Sequence, residues 1–487
     1  MSRPGRIGVS SAVTLCASIA SAQPFTRLPD LYTADRSSWR SIFARAHDRP
    51  VHGLLLGDSQ ETCPQGAGSV YVIALHAEFA RHYGGCGMTP LSQAGKFFGG
   101  ANPPGEWLVR GANAQPGPVP DLSSPALIPP GLRVATTSSN NGTNVNNDQR
   151  YGWLVVLDHD AAWADRDALA QGPWFDLSQG FFVDVFALTS PGSSQLRLRI
   201  SHTERNPYYT AAATAIVTSS MSLDAPAGQA RRQTFGPFFS PPGAKPQVEI
   251  SGDDPARTAK ILSARFRSAA APRGIVLTDL AEGGYRAASV LQNHPACGPV
   301  LAALDADFAM IAFGANESGN GIPLAEYRDS LLALIALVRG HTRADLPIIL
   351  APDVYRVVSP AYTPILEGLA GVCYQIALDD PRVLFLNSPK LTDAIGWNAQ
   401  NAAVFLADAV HYTPLGAREK ARLEAQTLLR AFACPADFNG DGFIDLFDID
   451  AYITAFEDGD PDADFDADGF LDFFDLDGYV AAFDLGC

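Results

Sequence analysis

Two separated parts of the chain alternate short apolar runs with helical patterns, and this alternation constrains the fold more than any other feature. Parallel strands need a crossover connection, so the alternation predicts a parallel sheet with helices on both faces. The predicted strands cover 51–56, 274–278, 308–313, 347–351 and 383–386, and the predicted helices cover 35–47, 68–83, 286–292, 324–339 and 414–432. We therefore predict an α/β fold with a doubly wound parallel sheet.

The segment between these two parts has a different pattern. Residues 90–150 are rich in Gly, Pro, Asn and Ser, which are loop signals. Short β-type runs follow at 153–157, 181–188, 195–201, 213–219, 247–250 and 261–266. In the third run Leu and Ile alternate with Arg, the period of a strand with one face in water. We predict an inserted β-sandwich, and its role stays open between holding a polymeric substrate and serving as a lid, dimer surface or spacer.

The charge of the chain is concentrated in one place. The net charge is −17, and residues 434–487 contain 15 Asp, one Glu and no Lys or Arg. The rest of the chain is nearly balanced, so we expect no nucleic-acid partner.

The N-terminus has the pattern of a secretory signal peptide over 1–22. Arg3 and Arg6 precede a short apolar stretch that ends in an Ala-Ser-Ala cleavage pattern. The stretch is too short to span a bilayer, so we predict a secreted protein with no membrane span.

Six cysteines remain in the exported chain, and an even number there predicts disulfides. Cys434 and Cys487 bracket the acidic segment and are the favoured pair. The other four allow three pairings, namely Cys63, Cys86, Cys297 and Cys373.

Two short motifs supply the residue types of a nucleophilic hydrolase. Gly57-Asp58-Ser59 ends the first predicted strand, and Asp408-Ala409-Val410-His411 precedes the last predicted helix of the α/β part. A serine hydroxyl is a weak nucleophile until an imidazole accepts its proton, and the imidazole needs a carboxylate to fix its tautomer. The two motifs therefore predict a Ser-His-Asp triad across one sheet edge.

With Glu282-Gly283-Gly284-Tyr285 and Gly314-Ala315-Asn316-Glu317 between them, these motifs stand in the order of a known family. Over 50–90 and 270–432 the chain resembles the SGNH (GDSL-type) hydrolases. The resemblance implies a flavodoxin-like fold and ester hydrolysis that needs no catalytic cofactor. It also implies that Ser59 is the nucleophile, His411 the base and Asp408 its orienter.

The resemblance further implies an oxyanion hole formed by the N–H groups of Ser59 and Gly284 and the amide of Asn316. Gly283 stays an alternative to Gly284. Glu317 stands where the family often has Asp, and we expect this difference to affect the local turn more than the chemistry.

The family cleaves lipid esters, thioesters and acetylated sugars, so the substrate is less constrained than the reaction. The β-rich insert favours a carbohydrate ester, in particular an acetylated polysaccharide. A lipid or simple ester is the alternative substrate, and a non-catalytic polysaccharide-binding or scaffold-attached protein is the alternative of another class.

The acidic segment contains an internal repeat. Residues 437–456 match 464–483 at 12 of 20 positions, at an offset of 27. Each half opens with a twelve-residue loop that has oxygen side chains at positions 1, 3, 5, 9 and 12 and glycine at position 6, the EF-hand pattern for Ca²⁺. Two Ca²⁺ ions are predicted, with ligands Asp437, Asn439, Asp441, Phe443 (carbonyl), Asp445 and Asp448, and Asp464, Asp466, Asp468, Phe470 (carbonyl), Asp472 and Asp475.

Tandem loops of this kind, each followed by one short helix, resemble a type I dockerin. The resemblance implies a cohesin-like partner and attachment to a scaffold or surface, and a purely stabilising calcium cap is the alternative. The predicted organisation is thus a signal peptide (1–22), a hydrolase domain in two parts (23–90 and 269–433), a β-rich insert (91–268), and a small EF-hand-like α module (434–487).

Overall fold

The computed structural model describes the following residues: 25–58, 60, 70–83, 87–92, 132–136, 152–157, 180–189, 191–193, 195–203, 215–239, 245–252, 260–270, 273–281, 284–292, 298, 301–353, 363–393, 411–412, 414–439, 443–460, 463–465 and 470–486.

The strands among these residues are, in chain order, β1 (Leu31–Tyr32), β2 (Pro50–Gly57), β3 (Gly87–Ser92), β4 (Leu132–Thr136), β5 (Gly152–Leu157), β6 (Phe181–Leu188), β7 (Leu196–Thr203), β8 (Ala215–Met221), β9 (Ala230–Phe238), β10 (Lys245–Gly252), β11 (Lys260–Ser268), β12 (Gly274–Asp279), β13 (Phe308–Ala312), β14 (Ile348–Leu350) and β15 (Val383–Leu386).

The α-helices among them are α1 (Arg36–Arg45), α2 (Val70–Tyr83), α3 (Ala287–Gln292), α4 (Ala315–Gly319), α5 (Leu324–His341), α6 (Thr363–Asp379), α7 (Ser388–Asp393), α8 (Pro414–Phe432), α9 (Leu446–Asp458) and α10 (Phe473–Leu485).

A six-stranded sheet has the order β1-β15-β14-β13-β2-β12. Its last five strands are parallel, which confirms the predicted parallel sheet. The short edge strand β1 pairs with β15 in the antiparallel sense and was not predicted, because two residues carry no periodic pattern. β2 lies between β13 and β12, so the parts of the chain before and after the insert build one sheet.

Helices cover both faces of this sheet, as the alternation of strands and helices predicts. On one face Leu54 and Leu56 of β2 belong to a core cluster with residues of α5 and α6. On the other face Val51 and Leu55 join a cluster with residues of α1, α2 and α8. Because strands buried on both sides need apolar residues at nearly every position, their sequences are continuous apolar runs.

The β-rich part forms two antiparallel sheets, β4-β5-β10-β7-β8 and β3-β11-β6-β9. Six of these strands coincide with predicted runs, whereas β3, β4 and β9 were missed. β9 contains four consecutive polar residues, Arg231 to Thr234, so its sequence lacks the alternation of apolar and polar residues that indicates a strand. That the two sheets pack face to face as a sandwich stays a prediction.

The four-stranded sheet is tied together by a buried carboxylate and packs on the α/β core. Asp184 of β6 accepts hydrogen bonds from Arg265 and Arg267 of β11 and from Thr234 of β9. Burial opposes ionisation of Asp184, but the hydrogen bond from Arg267 and the charge of Arg265 hold its pKa below the ordinary value. Phe186 of the same strand joins the core cluster of Leu54 and Leu56, so this sheet is anchored to the α/β part.

The C-terminal segment folds around a small aromatic core. Tyr452 of α9 and Tyr479 of α10 stack with ring centroids 3.9 Å apart, and Phe438 packs against both rings. Both helices begin with a capping box, formed by Asp445 with Asp448 and by the equivalent pair Asp472 with Asp475. The internal repeat of the sequence is therefore also a structural repeat, while its assignment as an EF-hand or dockerin-like module stays a prediction.

One expectation about the cysteines is wrong. Cys373 is a free thiol, buried in α6 next to the Tyr327 hydroxyl at 3.5 Å, so it takes no part in a disulfide. Cys373 belongs to the core cluster of the α/β part, where its thiol packs as a small apolar side chain. Cys63, Cys86, Cys297 and Cys487 lie outside the described residues, and the pairing of Cys434 with Cys487 stays a prediction.

The predicted signal peptide also lies outside the described residues. Among the helices that the structure describes, none combines the length and apolar character needed to cross a bilayer.

Candidate active site at the carboxyl edge of the sheet

The turn after β2 is closed around position 59. Asp58 and Gln60 are both fully buried, and the Asp58 carboxyl accepts a hydrogen bond of 2.9 Å from the Gln60 N–H. An aspartate that bonds the backbone two residues ahead closes a tight turn. Ser59 itself lies outside the described residues, but both its neighbours are fixed at the carboxyl edge of the central strand.

Gly314, which follows β13, must be glycine for two reasons. Its φ of 151° is a conformation that other residues rarely adopt, and a Cβ at this position would lie 2.1 Å from the backbone oxygen of Asp353. The chains that leave β13 and β14 are therefore in direct backbone contact at the sheet edge. This contact sets where α4, with Asn316 and Glu317, begins.

Replacing Gly314 with alanine should strongly destabilise the protein. Strain at the new Cβ and the collision with a backbone atom together predict a loss of about 2–5 kcal/mol in the free energy of unfolding. Gly321→Ala is the matched control, since Gly321 also has a positive φ, 65°, but open space around a Cβ. Urea unfolding of both variants measures the difference, and equal losses would show that the contact with Asp353 has no energetic weight.

Asn316 and Glu317 fasten the loop after β12 to the start of α4. The Asn316 side-chain amide donates a 2.8 Å hydrogen bond to the Tyr285 carbonyl, and the Glu317 carboxyl accepts one of 2.8 Å from the Ala287 N–H. An amide group has two hydrogens, and this bond uses one of them. Burial raises the pKa of Glu317. The longer Glu thus reaches across to α3, which agrees with its expected structural role.

Gly284 has φ +80° and is exposed, with nothing within 4 Å of a Cβ built on it. Glycine is needed here for the backbone conformation rather than for space. The adjacent Tyr285 carbonyl is the group that Asn316 binds, so the structure brings these two predicted oxyanion-hole segments together. Gly283, the alternative, lies outside the described residues.

His411 is half-buried. The next residue, Tyr412, connects this part of the chain to the same sheet edge. Tyr412 is buried, and its hydroxyl donates a hydrogen bond of 3.2 Å to the Asp353 carboxylate at the end of β14. Asp408 lies outside the described residues, as Ser59 does, so the triad contacts stay predictions.

A buried charged network beneath this edge was missed from the sequence. Lys420 of α8 is completely buried, and its Nζ lies 2.6 Å from Oδ2 of Asp353 and 3.9 Å from Oε1 of Glu424. Burial and the negative charges of Asp353 and Glu317 raise the pKa of Asp58 well above its usual range, and burial also raises that of Glu424. One ammonium cannot neutralise several buried carboxylates, and burial favours the protonated forms of Asp58 and Glu424.

A signal for this network does exist in the sequence. Lys420 and Glu424 are four residues apart and fall within the apolar stripe of α8, between Ala417 and Leu428. Charged residues on the buried face of a helix need partners, which the sequence alone does not identify. The partner Asp353 follows an apolar strand, just as Asp58 does.

Comparison with known families identifies the class of part of this chain. Residues 243–419 match the model of the GDSL-like Lipase/Acylhydrolase family. This region is a GDSL-like lipase/acylhydrolase domain. The predicted enzyme class, carboxylic ester hydrolase, is thereby confirmed. The match includes Gly284, Asn316, Asp408 and His411, and it begins within the predicted β-rich insert.

The turn at 57–59 lies outside the matched residues. It is joined to the GDSL-like domain by β2, which is hydrogen-bonded between two strands of that domain, β12 and β13. No curated protein matches the chain.

Several solved structures are similar to the chain. A peptidoglycan O-acetylesterase is 14% identical, with 83% of this chain and 99% of that chain covered and a TM-score of 0.49. The esterase EstA from Pseudoalteromonas sp. is 18% identical, with 33% and 79% covered and a TM-score of 0.25. A family two carbohydrate esterase from Clostridium thermocellum is 9% identical, with 62% and 98% covered and a TM-score of 0.28.

Proposed function

We propose that this chain is a secreted SGNH-type serine esterase that removes an acyl group, in particular acetyl, from a carbohydrate ester. The observation that carries the proposal is the convergence of four segments on one sheet edge. The Asp58–Gln60 turn, the Asn316–Tyr285 hydrogen bond and the Tyr412–Asp353 hydrogen bond hold the segments around Ser59, Gly284, Asn316 and His411 at the ends of adjacent strands. Ligands of open α/β sheets bind at this edge.

In the proposed mechanism Oγ of Ser59 attacks the acyl carbonyl while His411 takes the hydroxyl proton. Asp408 holds the imidazole in the correct tautomer and stabilises its charged form. The negative charge that develops on the carbonyl oxygen is stabilised by the N–H groups of Ser59 and Gly284 and by the Asn316 amide. Such donors contribute about 2.7–4 kcal/mol each.

The tetrahedral intermediate collapses when the sugar oxygen leaves with the proton held by His411. The acyl group is then bonded to Ser59. Water attacks this acyl-enzyme and gives a proton to His411, which returns it to the serine oxygen as the carboxylic acid departs. No cofactor takes part in either half of this reaction.

The insert supports a polymeric carbohydrate as substrate. Its four-stranded sheet is anchored to the α/β core by Phe186, so its orientation toward the hydrolase part is fixed. An anchored β-sheet offers a surface on which an extended chain can lie while one acyl group is removed.

The substrate proposal predicts measurable acetate release from an acetylated polysaccharide. We expect kcat/KM on p-nitrophenyl acetate to exceed that on p-nitrophenyl palmitate by at least about tenfold, because an acyl pocket that fits acetyl excludes a long chain and each mismatched group costs about 1–3 kcal/mol. Acetate from the polymer is measured by a coupled enzymatic assay, with a chemically deacetylated polymer as control. Cleavage of palmitate in preference to acetate would favour the lipid-ester alternative and would contradict the carbohydrate assignment.

For residues 434–487 we propose a Ca²⁺-binding attachment module with a cohesin-like partner. The ligand set is a hard-cation set of carboxylates and carbonyls, and its position-12 members, Asp448 and Asp475, are buried. Each accepts two backbone N–H hydrogen bonds, Asp448 from Asn439 and Asp445, and Asp475 from Phe465 and Asp472. Asp441, Asp466 and Asp468 lie outside the described residues, and no group of three ligating side chains converges within the described part.

A repeated apolar surface supports the attachment role. The side chains of three equivalent pairs, one from each half of the repeat, are 68–77% exposed, namely Phe443 with Phe470, Leu446 with Phe473, and Phe447 with Phe474. Large exposed aromatic side chains are typical of protein interaction sites, because burying them on binding is strongly favourable.

A further inference from the structure

The ion pair between Lys420 and Asp353 occupies an unusual place for two charged groups. Both side chains are within 1% of complete burial, and Nζ and Oδ2 are 2.6 Å apart. Lysine and aspartate are almost never fully buried unless they are paired, and even a good pair often does no more for stability than apolar residues of the same size. Asp353 of this pair follows β14 at the carboxyl edge of the sheet.

Asp353 contacts two of the segments that carry proposed catalytic groups and acts by its charge on a third. Its Oδ1 accepts the Tyr412 hydroxyl hydrogen bond, one residue after His411. Its backbone oxygen lies against Gly314, two residues before Asn316. Its negative charge also acts on Asp58, the residue before Ser59. A displacement of Asp353 would therefore move the base and the oxyanion-hole segment together.

Lys420 is enclosed by aromatic rings beside this carboxylate. Its Nζ lies 4.1 Å from the ring centroid of Tyr71 and 5.8 Å from that of Tyr412. The Tyr71 hydroxyl donates a hydrogen bond to Glu424, the second carboxyl near the ammonium. Lys420 lies in the second turn of α8, which begins two residues after Tyr412. The helix that follows the proposed base therefore supplies the positive charge that pairs with Asp353.

We propose that Lys420 and Asp353 are positioning residues for ester hydrolysis, in which the ion pair fixes Asp353, and Asp353 in turn holds Tyr412 and so places His411 relative to Ser59. The inference rests on the proposed serine-esterase function. Neither residue touches substrate; both act through Tyr412 and through the Gly314 backbone.

Tyr412→Phe tests the link with the smallest change. The variant keeps the buried ring and removes only the hydroxyl that bonds Asp353, so we expect a fold with near-normal melting temperature. A displaced base lowers kcat by about 10–100-fold while KM stays within about twofold, because small misplacements are costly in the transition state. The matched control is Tyr452→Phe, which removes a buried hydroxyl bond of the same 3.2 Å length in the C-terminal module and should leave kcat unchanged.

The second test removes the charges. In Lys420→Met, Asp353 loses its counter-ion, so we expect a lower melting temperature and a kcat about 10–100-fold below that of the wild type. In the double variant Asp353→Asn/Lys420→Met, which removes both charges of the pair, the melting temperature should return toward the wild-type value while kcat stays about 10–100-fold low.

Melting temperatures are measured first, so that each kcat refers to folded protein. If Tyr412→Phe and the double variant lose stability but keep wild-type kcat, the pair is merely structural and the inference is wrong. If the wild type itself hydrolyses no p-nitrophenyl acetate, the proposed function fails instead, and the two failures are thereby distinguished.

Discussion

Ser59→Ala is expected to lower kcat by about 10⁴–10⁶-fold on every ester that the wild type cleaves. Alanine has no oxygen to attack the carbonyl, so no acyl-enzyme forms. The fold should survive, because the turn around position 59 is closed by the Asp58 carboxyl and the Gln60 N–H and not by the serine side chain. The residual rate would come from binding and the oxyanion hole, which the variant keeps.

Initial rates on p-nitrophenyl acetate and acetate release from acetylated polysaccharide measure this loss. Ser222→Ala is the matched control, since Ser222 is an exposed serine in the loop after β8, and its rate should equal that of the wild type. Adding His411→Ala to Ser59→Ala should cost little more, because members of one catalytic unit are strongly non-additive. Equal rates in wild type and Ser59→Ala would support the non-catalytic alternative.

The α/β part could be predicted because its signals are local. β2, β13 and β15 are buried on both faces, so each is a continuous apolar run that stands out between helical patterns. Gly284 and Gly314 were chosen from motif position alone, and the structure gives each a physical reason, a positive φ at both and a backbone contact at Gly314.

What escaped prediction depends on distant partners. β9 is polar in sequence because Thr234 and Arg232 contact Asp184, about fifty positions earlier on β6. In the sequence, Lys420 is an unexplained charge in an apolar stripe. The structure explains it by pairing it with Asp353, which precedes it by 67 residues. Such pairings are set by the sheet topology, which a single sequence does not state.

The prediction that Cys373 is paired failed for a related reason. An even number of cysteines indicates pairing only if each side chain can reach another, and counting carries no such geometry. Cys373 lies on the face of α6 that packs on Tyr327 and the core, where a thiol acts as a small apolar side chain.

Removal of Ca²⁺ is expected to unfold residues 434–487 while the α/β part stays folded. The segment has 16 acidic and no basic residues, so its carboxylates repel one another when no cation balances them. Its core is small: among the described residues the buried apolar members are three aromatic residues and one alanine, namely Phe438, Tyr452, Tyr479 and Ala463. A domain this short has only a few kcal/mol of stability, and ligand at a thousandfold excess over Kd supplies about 4 kcal/mol per site.

Titration calorimetry on the full chain, after EGTA treatment and dialysis, should show two Ca²⁺ ions bound per molecule. Scanning calorimetry should show one transition that disappears with EGTA and returns with Ca²⁺. The double variant Asp437→Asn/Asp464→Asn removes one carboxylate charge from position 1 of each loop, and we expect its affinity to fall at least about tenfold per site, since affinity follows the number of ligand charges.

The control for this variant is Asp450→Asn/Asp477→Asn, an equivalent pair of exposed helical aspartates that changes the net charge by the same amount. If both double variants weaken Ca²⁺ binding equally, Ca²⁺ is attracted by the net negative charge of the segment rather than coordinated by two specific loops. A full chain that takes up no Ca²⁺, and whose calorimetric transitions are the same with and without EGTA, would show that the stacked pair Tyr452 and Tyr479 holds the module together without metal.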